Sequence, residues 1–237
     1  MANLRALRKR IASIKGTGQI TRAMKMVAAA KLRRAQERII AARPYADRIR
    51  QVAASLAART DPGRHSLLGI RAANQVELVV LTSDRGLCGA YNMNVIRVVE
   101  EFSKARASEF PQLTLTTLGS KGRDYFRRRG YNIRQEYLGT AQAAEHSNAV
   151  KIAQELIGSY QQEQLDLVFL VYSQFVSALQ QRPQIVQLLP LEQLPVEEGT
   201  YLPEFVFEPS EKVILDQLLS RYVEVQVYRA LLEAAAS

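Results

Sequence analysis

Residues Lys15 to Gln36 read KGTGQITRAMKMVAAAKLRRAQ, and this stretch combines helix-forming residues with a concentrated positive charge. It contains six lysines and arginines but no aspartate or glutamate. Ile20, Met24 and Val27 are spaced by four and three residues, which places them along one face of a helix. The pattern therefore predicts a basic helix whose apolar stripe needs a partner.

The same helical spacing continues on both sides of this stretch. It is carried by Leu4, Leu7, Ile11 and Ile14 before it, and by Ala35, Ile39, Ala42, Ala46, Ile49, Ala53 and Leu56 after it. Such a narrow apolar seam is typical of a coiled coil. A helix of about fifty residues is about 75 Å long, which is more than one small domain can cover, so part of it should project. We predict that Gly16 and Gly18 bend the helix and that Pro44 kinks it without ending it.

A comparable helix is predicted at the other end of the chain. Its apolar residues keep a similar spacing, as shown by Ile214, Leu218, Val225, Tyr228 and Leu232. Because a projecting helix with an apolar seam needs a second helix, we expect the two ends to pair. The sequence thus predicts a long antiparallel coiled coil between an N-terminal helix in residues 1–60 and a C-terminal helix in residues 210–237.

The intervening residues 61–209 have a different sequence pattern. Short runs rich in β-branched residues, at 76–84, 113–119 and 165–175, are separated by helix-like stretches such as 93–108 and 143–164. This alternation predicts a Rossmann-like α/β domain with a mainly parallel sheet. Residues 185–191 are a further candidate for an edge strand, where Pro190 is tolerated. Residues 192–209 are predicted to be a loop that leads into the last helix.

The formal net charge of +9 originates in the N-terminal segment. Residues 1–50 hold fourteen lysines and arginines against two acidic residues, Glu37 and Asp47, whereas the rest of the chain has a slight acidic excess. An arginine-rich start is also typical of a mitochondrial transit peptide, but this one is poor in serine and far longer than a cleaved peptide. We interpret it as part of the mature protein.

Several function classes are disfavoured by composition and motif. No run of eighteen apolar residues is present, which argues against a membrane-spanning helix. Cys88 is the single cysteine, so an internal disulfide and a cysteine-built metal cluster are excluded, and the two histidines offer little else for a metal. The single thiol also favours a reducing compartment. No nucleophile elbow or pair of carboxylates on a shared face was found. We therefore predict a protein without catalytic residues, metal or cofactor.

The first predicted strand is followed by the turn SDRGLCGAYN, residues 83–92. A glycine-rich turn at this point is where a doubly wound fold can hold a phosphate. Gly86 and Gly89, however, match neither the dinucleotide fingerprint nor a P-loop with its lysine. We interpret the glycines as residues of a tight turn, Asp84 as an acceptor for backbone amides and Cys88 as a small packed residue.

Two kinds of partner suit the basic helix. Clustered lysines and arginines could contact nucleic-acid phosphates, but Tyr45 is the only aromatic residue among the first fifty and no base-reading module is recognisable. A solvated charged face is the usual role of a short basic run. This run is longer, and it favours an acidic protein partner. A basic coiled-coil adaptor that binds nucleic acid stays open as the alternative.

Four stretches resemble the gamma-subunit family of F-type ATP synthases. They are ITRAMKMVAAAKLRRAQ (20–36), ARPYAD (42–47), TSDRGLCGAYN (82–92) and SRYVEVQVYRALLEAAAS (220–237). The resemblance extends over nearly the whole chain in the right order. It implies a central rotor shaft whose paired terminal helices enter a ring of alternating alpha and beta subunits. It also implies that the α/β domain sits with epsilon on a ring of c subunits, at the cytoplasmic face of a bacterial plasma membrane, peripheral and not inserted.

The resemblance assigns roles residue by residue. The motif match places five residues in the segment that faces the alpha and beta ring, namely Met24, Lys25, Lys31, Arg33 and Arg34. Phe205 and Glu208 match the aromatic-x-x-Glu-Pro segment at the foot near the c ring. The turn that contains Asp84, Gly86, Cys88 and Gly89 belongs to the globular domain. No nucleic acid, cofactor or metal is implied, and the gamma subunit itself hydrolyses nothing.

Two departures from the family pattern accompany the resemblance. Family members commonly have a residue other than glycine where Gly16 stands, which predicts a softer bend. The sequence also ends at Ser237, where relatives continue through several more helical turns, and either a truncation or a naturally short gene explains this. The redox insertion of the chloroplast type is absent, so regulation by thiols is not expected.

Overall fold

The computed structural model describes residues 4–57, 65–139, 144–191 and 211–237. The two terminal helices are α1 (Leu4–Ala57) and α5 (Glu211–Ala236). Between them lie, in chain order, β1 (Gln75–Leu81), α2 (Tyr91–Ala105), β2 (Gln112–Leu118), α3 (Ser120–Arg128), β3 (Ile133–Tyr137), α4 (His146–Gln161), β4 (Leu167–Ser177) and β5 (Gln180–Leu189). The predicted loop 192–209 lies outside the described residues, and with it Phe205 and Glu208.

The strands form one five-stranded sheet with the order β3-β2-β1-β4-β5. Strands β1 to β4 are parallel, and β5 runs antiparallel to β4 at one edge. The predicted mainly parallel sheet and the additional edge strand are therefore confirmed. The edge position accommodates Pro183 inside β5, because a proline lacks the amide that a central strand would need.

Two elements of this domain were missed by the sequence patterns. Strand β3 has only five residues, IRQEY, and none of them is fully buried. Helix α3 has nine residues and contains Gly122. Neither presents an apolar run, because β3 is an edge strand and α3 has only about two and a half turns, in which Tyr125 and Phe126 stand among polar residues.

The core occupies both faces of the sheet. Val79 and Leu81 of β1 point to the face covered by α4 and α5, where they join Ile152, Leu156, Leu219 and Val223. Leu78 and Val80 point to the opposite face, where α2 and α3 supply Val95, Val99 and Phe126. This alternation explains why β1 reads as a nearly continuous apolar run, since a parallel sheet is covered on both sides.

Helices α1 and α5 pack against each other in antiparallel orientation. Arg221, near the start of α5, donates from Nε to the Tyr45 hydroxyl at 3.1 Å. Near the end of α5, Leu232 lines a cavity together with Ile39 of α1. Ser237 lines another cavity together with Lys31 of α1. Ile39, Ala46 and Ala53 are buried along this seam, which agrees with the predicted spacing.

The first half of α1 projects beyond the packed region. Its apolar side chains are between 46% and 64% exposed, among them Leu4, Leu7, Ile11, Ile14, Ile20, Met24 and Val27. The helix runs through Gly16, Gly18 and Pro44 without interruption. The bends expected at these residues stay predictions.

Candidate functional site

The projecting part of α1 presents both the apolar stripe and the positive charge to solvent. Met24 is 49% exposed, and Lys25 is exposed beside it. The first acidic residue of the chain is Glu37, so positive charge dominates this surface. A partner that covers it therefore has to bring both apolar contacts and negative charge.

Arg33 is engaged along its own helix. Its Nε lies 3.0 Å from Oε1 of Glu37, one turn later, and both side chains are largely exposed. An exposed pair of this kind contributes only about 0.2–1 kcal/mol to helix stability. The described partner of Arg33 thus lies on α1 itself, and its side chain is 83% exposed.

Lys31, Arg34 and Arg38 lie on the side of α1 that faces the turn after β1. Their spacing of three and four residues places them on one face of α1. Together with Arg85, Cys88 and the end of α5 they line a cavity of about 470 Å³. We call this cavity the basic cleft; its other described lining residues are Ala35, Thr82, Ser83, Gly86, Tyr91, Ala144, Leu232, Ala234, Ala235 and Ser237.

The turn after β1 is held in place by side chains that accept backbone amides. Asp84 accepts from the amide of Ser120 at 3.0 Å and from the amide of Gly139 at 3.1 Å. Asn92 accepts from the amide of Ser83 at 2.9 Å. Asp84 therefore ties the end of β1 to the segments after β2 and β3.

The tip of the turn departs from ordinary backbone conformations. Leu87 has φ of 65° and Gly89 has φ of 56°, both in the left-handed region. Gly89 adopts this conformation freely, whereas Leu87 is strained and its side chain is 93% exposed. Gly86 is exposed as well. The tip thus presents backbone and an apolar side chain at the surface.

Cys88 lies inside this turn and is partly buried. Nδ2 of Asn92 is 3.1 Å from its Sγ. The adjacent Tyr91 donates its hydroxyl to the carbonyl of Leu81 at 3.1 Å, and burial raises the pKa of this phenol well above its usual range. The surroundings are those of a packed structural thiol. Within the described ranges, no group of three or more His, Cys, Asp or Glu residues has the arrangement of a metal site.

The juxtaposition of α1 with the turn was missed by the sequence patterns. Lys31 and Arg34 were assigned to the helix and Gly86 and Cys88 to a separate turn, yet all four line the basic cleft. The spacing of the basic residues on one face of α1 was the available signal. It did not indicate which element that face would meet.

Comparison with known proteins decides the family. The ATP synthase family model matches residues 3–237. The gamma chain of Pelotomaculum thermopropionicum is 46% identical over 237 residues, which cover the whole of this chain and 82% of that protein. The chain belongs to the ATP synthase gamma chain family. The gamma chain of Geobacter metallireducens is 43% identical with the same coverage.

Solved structures share the fold of this gamma chain. The central stalk of the Tetrahymena thermophila mitochondrial ATP synthase matches with a TM-score of 0.68 at 24% identity, over 92% of this chain and 93% of that one. The rotor of the Euglena gracilis mitochondrial enzyme matches with a TM-score of 0.66 at 21% identity, over 98% and 85%. These matches confirm two terminal helices joined to an α/β domain.

Family membership decides between the two functions that the sequence left open. A gamma chain is the rotor subunit of the central stalk and catalyses no reaction itself, because catalysis takes place in the beta subunits. It is a peripheral subunit of the complex. Among the helices described in this gamma chain, none combines the length and the apolar character needed to cross a membrane.

Proposed function

We propose that this gamma chain couples ion-driven rotation of the c ring to the conformational cycle of the catalytic beta subunits, and thereby to ATP synthesis. The observation that carries the proposal is the projecting first half of α1, whose apolar and basic side chains are exposed together. Such a surface suits insertion into a ring of subunits. The alpha, beta, epsilon and c subunits are the proposed partners.

The proposed contacts with the ring divide into two groups. Met24 and Lys25 lie on the projecting helix, where a surrounding ring has access from every side. Lys31 and Arg34 lie lower, where α1 meets the α/β domain, and Arg33 lies beside them but is paired with Glu37. We expect Met24 and Lys25 to meet the acidic levers of beta subunits at each rotational position. Arg33 should contribute less than Arg34.

The proposed division of the chain rests on the sequence patterns and on the resemblance to the family. Residues 1–60 and 210–237 form the shaft, and residues 61–209 form the α/β domain and the loop that rests near the c ring. Phe205 and Glu208 are the proposed contacts with the c ring. The location that goes with these partners is the cytoplasmic face of a bacterial plasma membrane.

The charge contribution is tested by removing four positive charges at once. We replace Lys25, Lys31, Arg33 and Arg34 with glutamine and measure binding to a reconstituted alpha-beta ring as a function of salt. Each exposed pair is worth about 0.2–1 kcal/mol, so only the combined change should weaken binding clearly, by about tenfold or more. The dependence on salt should also flatten, because exposed charges are screened by ions.

A matched control removes the same charge from the α/β domain. Lys104, Lys121, Arg128 and Lys151 are all exposed and lie away from the projecting helix. Their replacement by glutamine should leave binding and its salt dependence close to wild type. Equal effects of the two fourfold changes would mean that α1 acts only through the net charge of the chain.

Coupling is tested separately with Met24→Lys. The substitution adds a positive charge to the surface that moves past the levers, and an extra ion pair there should hold one rotational state too firmly. We expect a complex that assembles and hydrolyses ATP but pumps ions poorly. Met26→Lys adds the same charge about 200° around the helix and serves as the control. Unchanged coupling in Met24→Lys would contradict the proposed contact.

A further inference from the structure

The hairpin of β4 and β5 extends beyond the rest of the sheet. The pairing of β1 with β4 ends at Val80 and Val171. Strands β4 and β5 continue to pair with each other from Tyr172 to the last pair, Ser177 and Gln180. These last six residues of β4 therefore form with β5 a two-stranded extension about 20 Å long. We call this extension the ribbon; it comprises residues 172–177 and 180–184.

The ribbon leaves the sheet at the end from which α1 projects. Strand β4 is parallel to β1, so the ribbon begins at the end of the sheet where the turn after β1 lines the basic cleft. Lys31 of α1 lines the same cleft, and residues 4–30 of α1 lie beyond it. The ribbon and the projecting part of α1 thus start at the same level of the molecule.

The base of the ribbon is fixed to the end of α5. Tyr172 and Ser173 are buried. The hydroxyl of Ser237, directly after α5, donates to the carbonyl of Ser173 at 2.9 Å. Ser237 also lines the basic cleft with Lys31. Because a two-stranded hairpin is only marginally stable alone in water, these contacts hold the ribbon in place beside α1.

The tip of the ribbon is closed by its own side chains. Oγ of Ser177 accepts the amides of Leu179 at 3.3 Å and Gln180 at 3.1 Å. Nε2 of Gln181 donates to the carbonyls of Ser177 at 3.2 Å and Ala178 at 3.1 Å. A tip that is already ordered loses little conformational freedom when it contacts a partner, which favours binding.

The ribbon tip presents apolar side chains to solvent. Leu179 is 97% exposed and Val176 is 48% exposed, with Ala178 between them. Arg182 is the one charged residue among residues 172–184. Single exposed apolar residues are common on protein surfaces, but these stand together at the end of an ordered extension. The tip therefore suits an apolar contact rather than an ionic one.

We propose that the ribbon tip contacts the alpha and beta ring, through Leu179 and Val176, on the face that the ring turns towards the α/β domain. The inference rests on the proposed function, because that function places the ring around the projecting part of α1. A ring that surrounds α1 also lies above the ribbon, whose base is joined to the same level of α1 through Ser237. Since the tip stands beside the shaft, successive subunits of the ring meet it during rotation.

The first test is site-specific photo-cross-linking. In a Cys88→Ala background, which leaves the chain without cysteine, Leu179→Cys is labelled with benzophenone maleimide before assembly with alpha, beta and epsilon subunits. We expect a cross-link to alpha or beta, identified by mass spectrometry. Ile70→Cys is the matched control, because Ile70 is 86% exposed but precedes β1 and lies at the opposite end of the sheet. It should give no such cross-link.

The second test measures binding to the ring. Leu179→Gln should weaken binding by about tenfold, because it removes apolar area that the contact buries. The factor should be the same at about 0.05 M and about 0.3 M salt, since no ion pair is lost. Ile70→Gln should bind like wild type. Because the Leu179 side chain is exposed in the free chain, Leu179→Gln should keep the wild-type midpoint of urea unfolding.

The outcomes separate this inference from the proposed function. In an assembled complex, absence of a cross-link from Leu179→Cys to alpha or beta would overturn the inference alone. A cross-link to epsilon or to a second copy of the chain instead, or equal yields from the two cysteine variants, would do the same. Equal binding of Leu179→Gln and Ile70→Gln would also contradict it. Failure of the unmodified chain to assemble with alpha and beta would overturn the proposed function, and this inference with it.

Discussion

Arg34 of helix α1 and Cys88 of the turn after strand β1 line the same cavity. The helix belongs to the shaft and the turn belongs to the α/β domain. The side chains at the point where these two parts meet therefore include four cations beside small apolar residues on this side. Above this point α1 projects, and below it α1 is packed against α5. The position of the cleft divides α1 into two parts with different physical properties.

Amide hydrogen exchange should reveal this division. In the isolated chain we expect fast exchange in residues 4–30 of α1, because a helix without tertiary packing is only marginally stable in water. Residues 35–53, which pack against α5 through Ile39, Ala46 and Ala53, should exchange slowly. The measurement is exchange followed by mass spectrometry. Uniformly slow exchange along the whole helix would contradict the expectation.

A buried carboxylate inside the sheet provides a second prediction. Glu77 of β1 is fully buried, and its Oε2 lies 3.0 Å from Nε of Arg134 in β3. The hydroxyls of Thr114 and Thr116 donate to the same carboxylate. Nη1 of Arg134 is also 3.3 Å from Oε1 of Glu155 in α4. Arg134 thus joins the edge strand to the centre of the sheet and to a helix.

Arg134→Met should destabilise the chain by about 3 kcal/mol, because it leaves the Glu77 carboxylate buried without its cation. Urea unfolding monitored by circular dichroism measures the loss. Arg127→Met is the control, since Arg127 is 62% exposed and forms a surface pair with Glu136. Its loss should stay below about 1 kcal/mol. Similar losses in the two variants would show that the buried pair contributes no more to the free energy of unfolding than the surface pair.

Tyrosine ionisation should make the fold sensitive to alkali. Burial raises the pKa of Tyr172 to about 12, whereas an unfolded chain ionises its tyrosines near pH 10. The unfolded state therefore loses its proton first, and the stability that Tyr172 contributes below about pH 10 is lost as pH rises towards 12. From Tyr172 alone we expect a loss of about 1 kcal/mol between about pH 9 and 11.

Urea unfolding at several pH values measures this loss. Tyr172→Phe removes the ionising hydroxyl, so its stability should fall less steeply with pH than that of wild type. Absorbance of phenolate near 295 nm, compared with and without urea, reports the delayed ionisation directly. Burial also raises the pKa of Tyr91 and Tyr137, so a residual slope is expected in the variant. Equal slopes would contradict the role of Tyr172.

Two glycines should respond to alanine in opposite directions. A Cβ at Gly122 would lie 2.8 Å from Oγ1 and 2.9 Å from Cγ2 of the buried Thr82, whose hydroxyl accepts the Gly122 amide. Gly122→Ala should therefore destabilise the α/β domain by about 1–3 kcal/mol. Gly16 has no atom within 4 Å of the same position, so Gly16→Ala should increase the helical circular dichroism signal by stabilising α1 by about 1 kcal/mol.

Urea unfolding distinguishes the two variants. The unfolding midpoint should fall in Gly122→Ala and stay near wild type in Gly16→Ala, because the projecting part of α1 does not belong to the packed core. A wild-type midpoint in Gly122→Ala would show that Thr82 moves aside without cost.

The helices of the shaft and the central strands were predictable from local patterns. Apolar residues at helical spacing indicated α1 and α5, and their antiparallel pairing followed from the need to cover an exposed seam. The run VELVVL indicated β1 because a strand covered on both faces is apolar throughout. These patterns are periodic along the chain itself. They can therefore be recognised in the sequence before it is known which elements pack against each other.

The tertiary structure alone decided which charged groups meet. The sequence predicted Arg33 and Arg34 as equivalent, yet Arg33 pairs with Glu37 and Arg34 lines the basic cleft. The buried pair of Glu77 and Arg134 was not predictable either, because its partners lie on strands that become neighbours only in the folded sheet. The positions of charged residues show no periodic pattern in the sequence from which their partners could be inferred. Its role depends on short-range contacts and local dielectric, which exist only after the elements have packed.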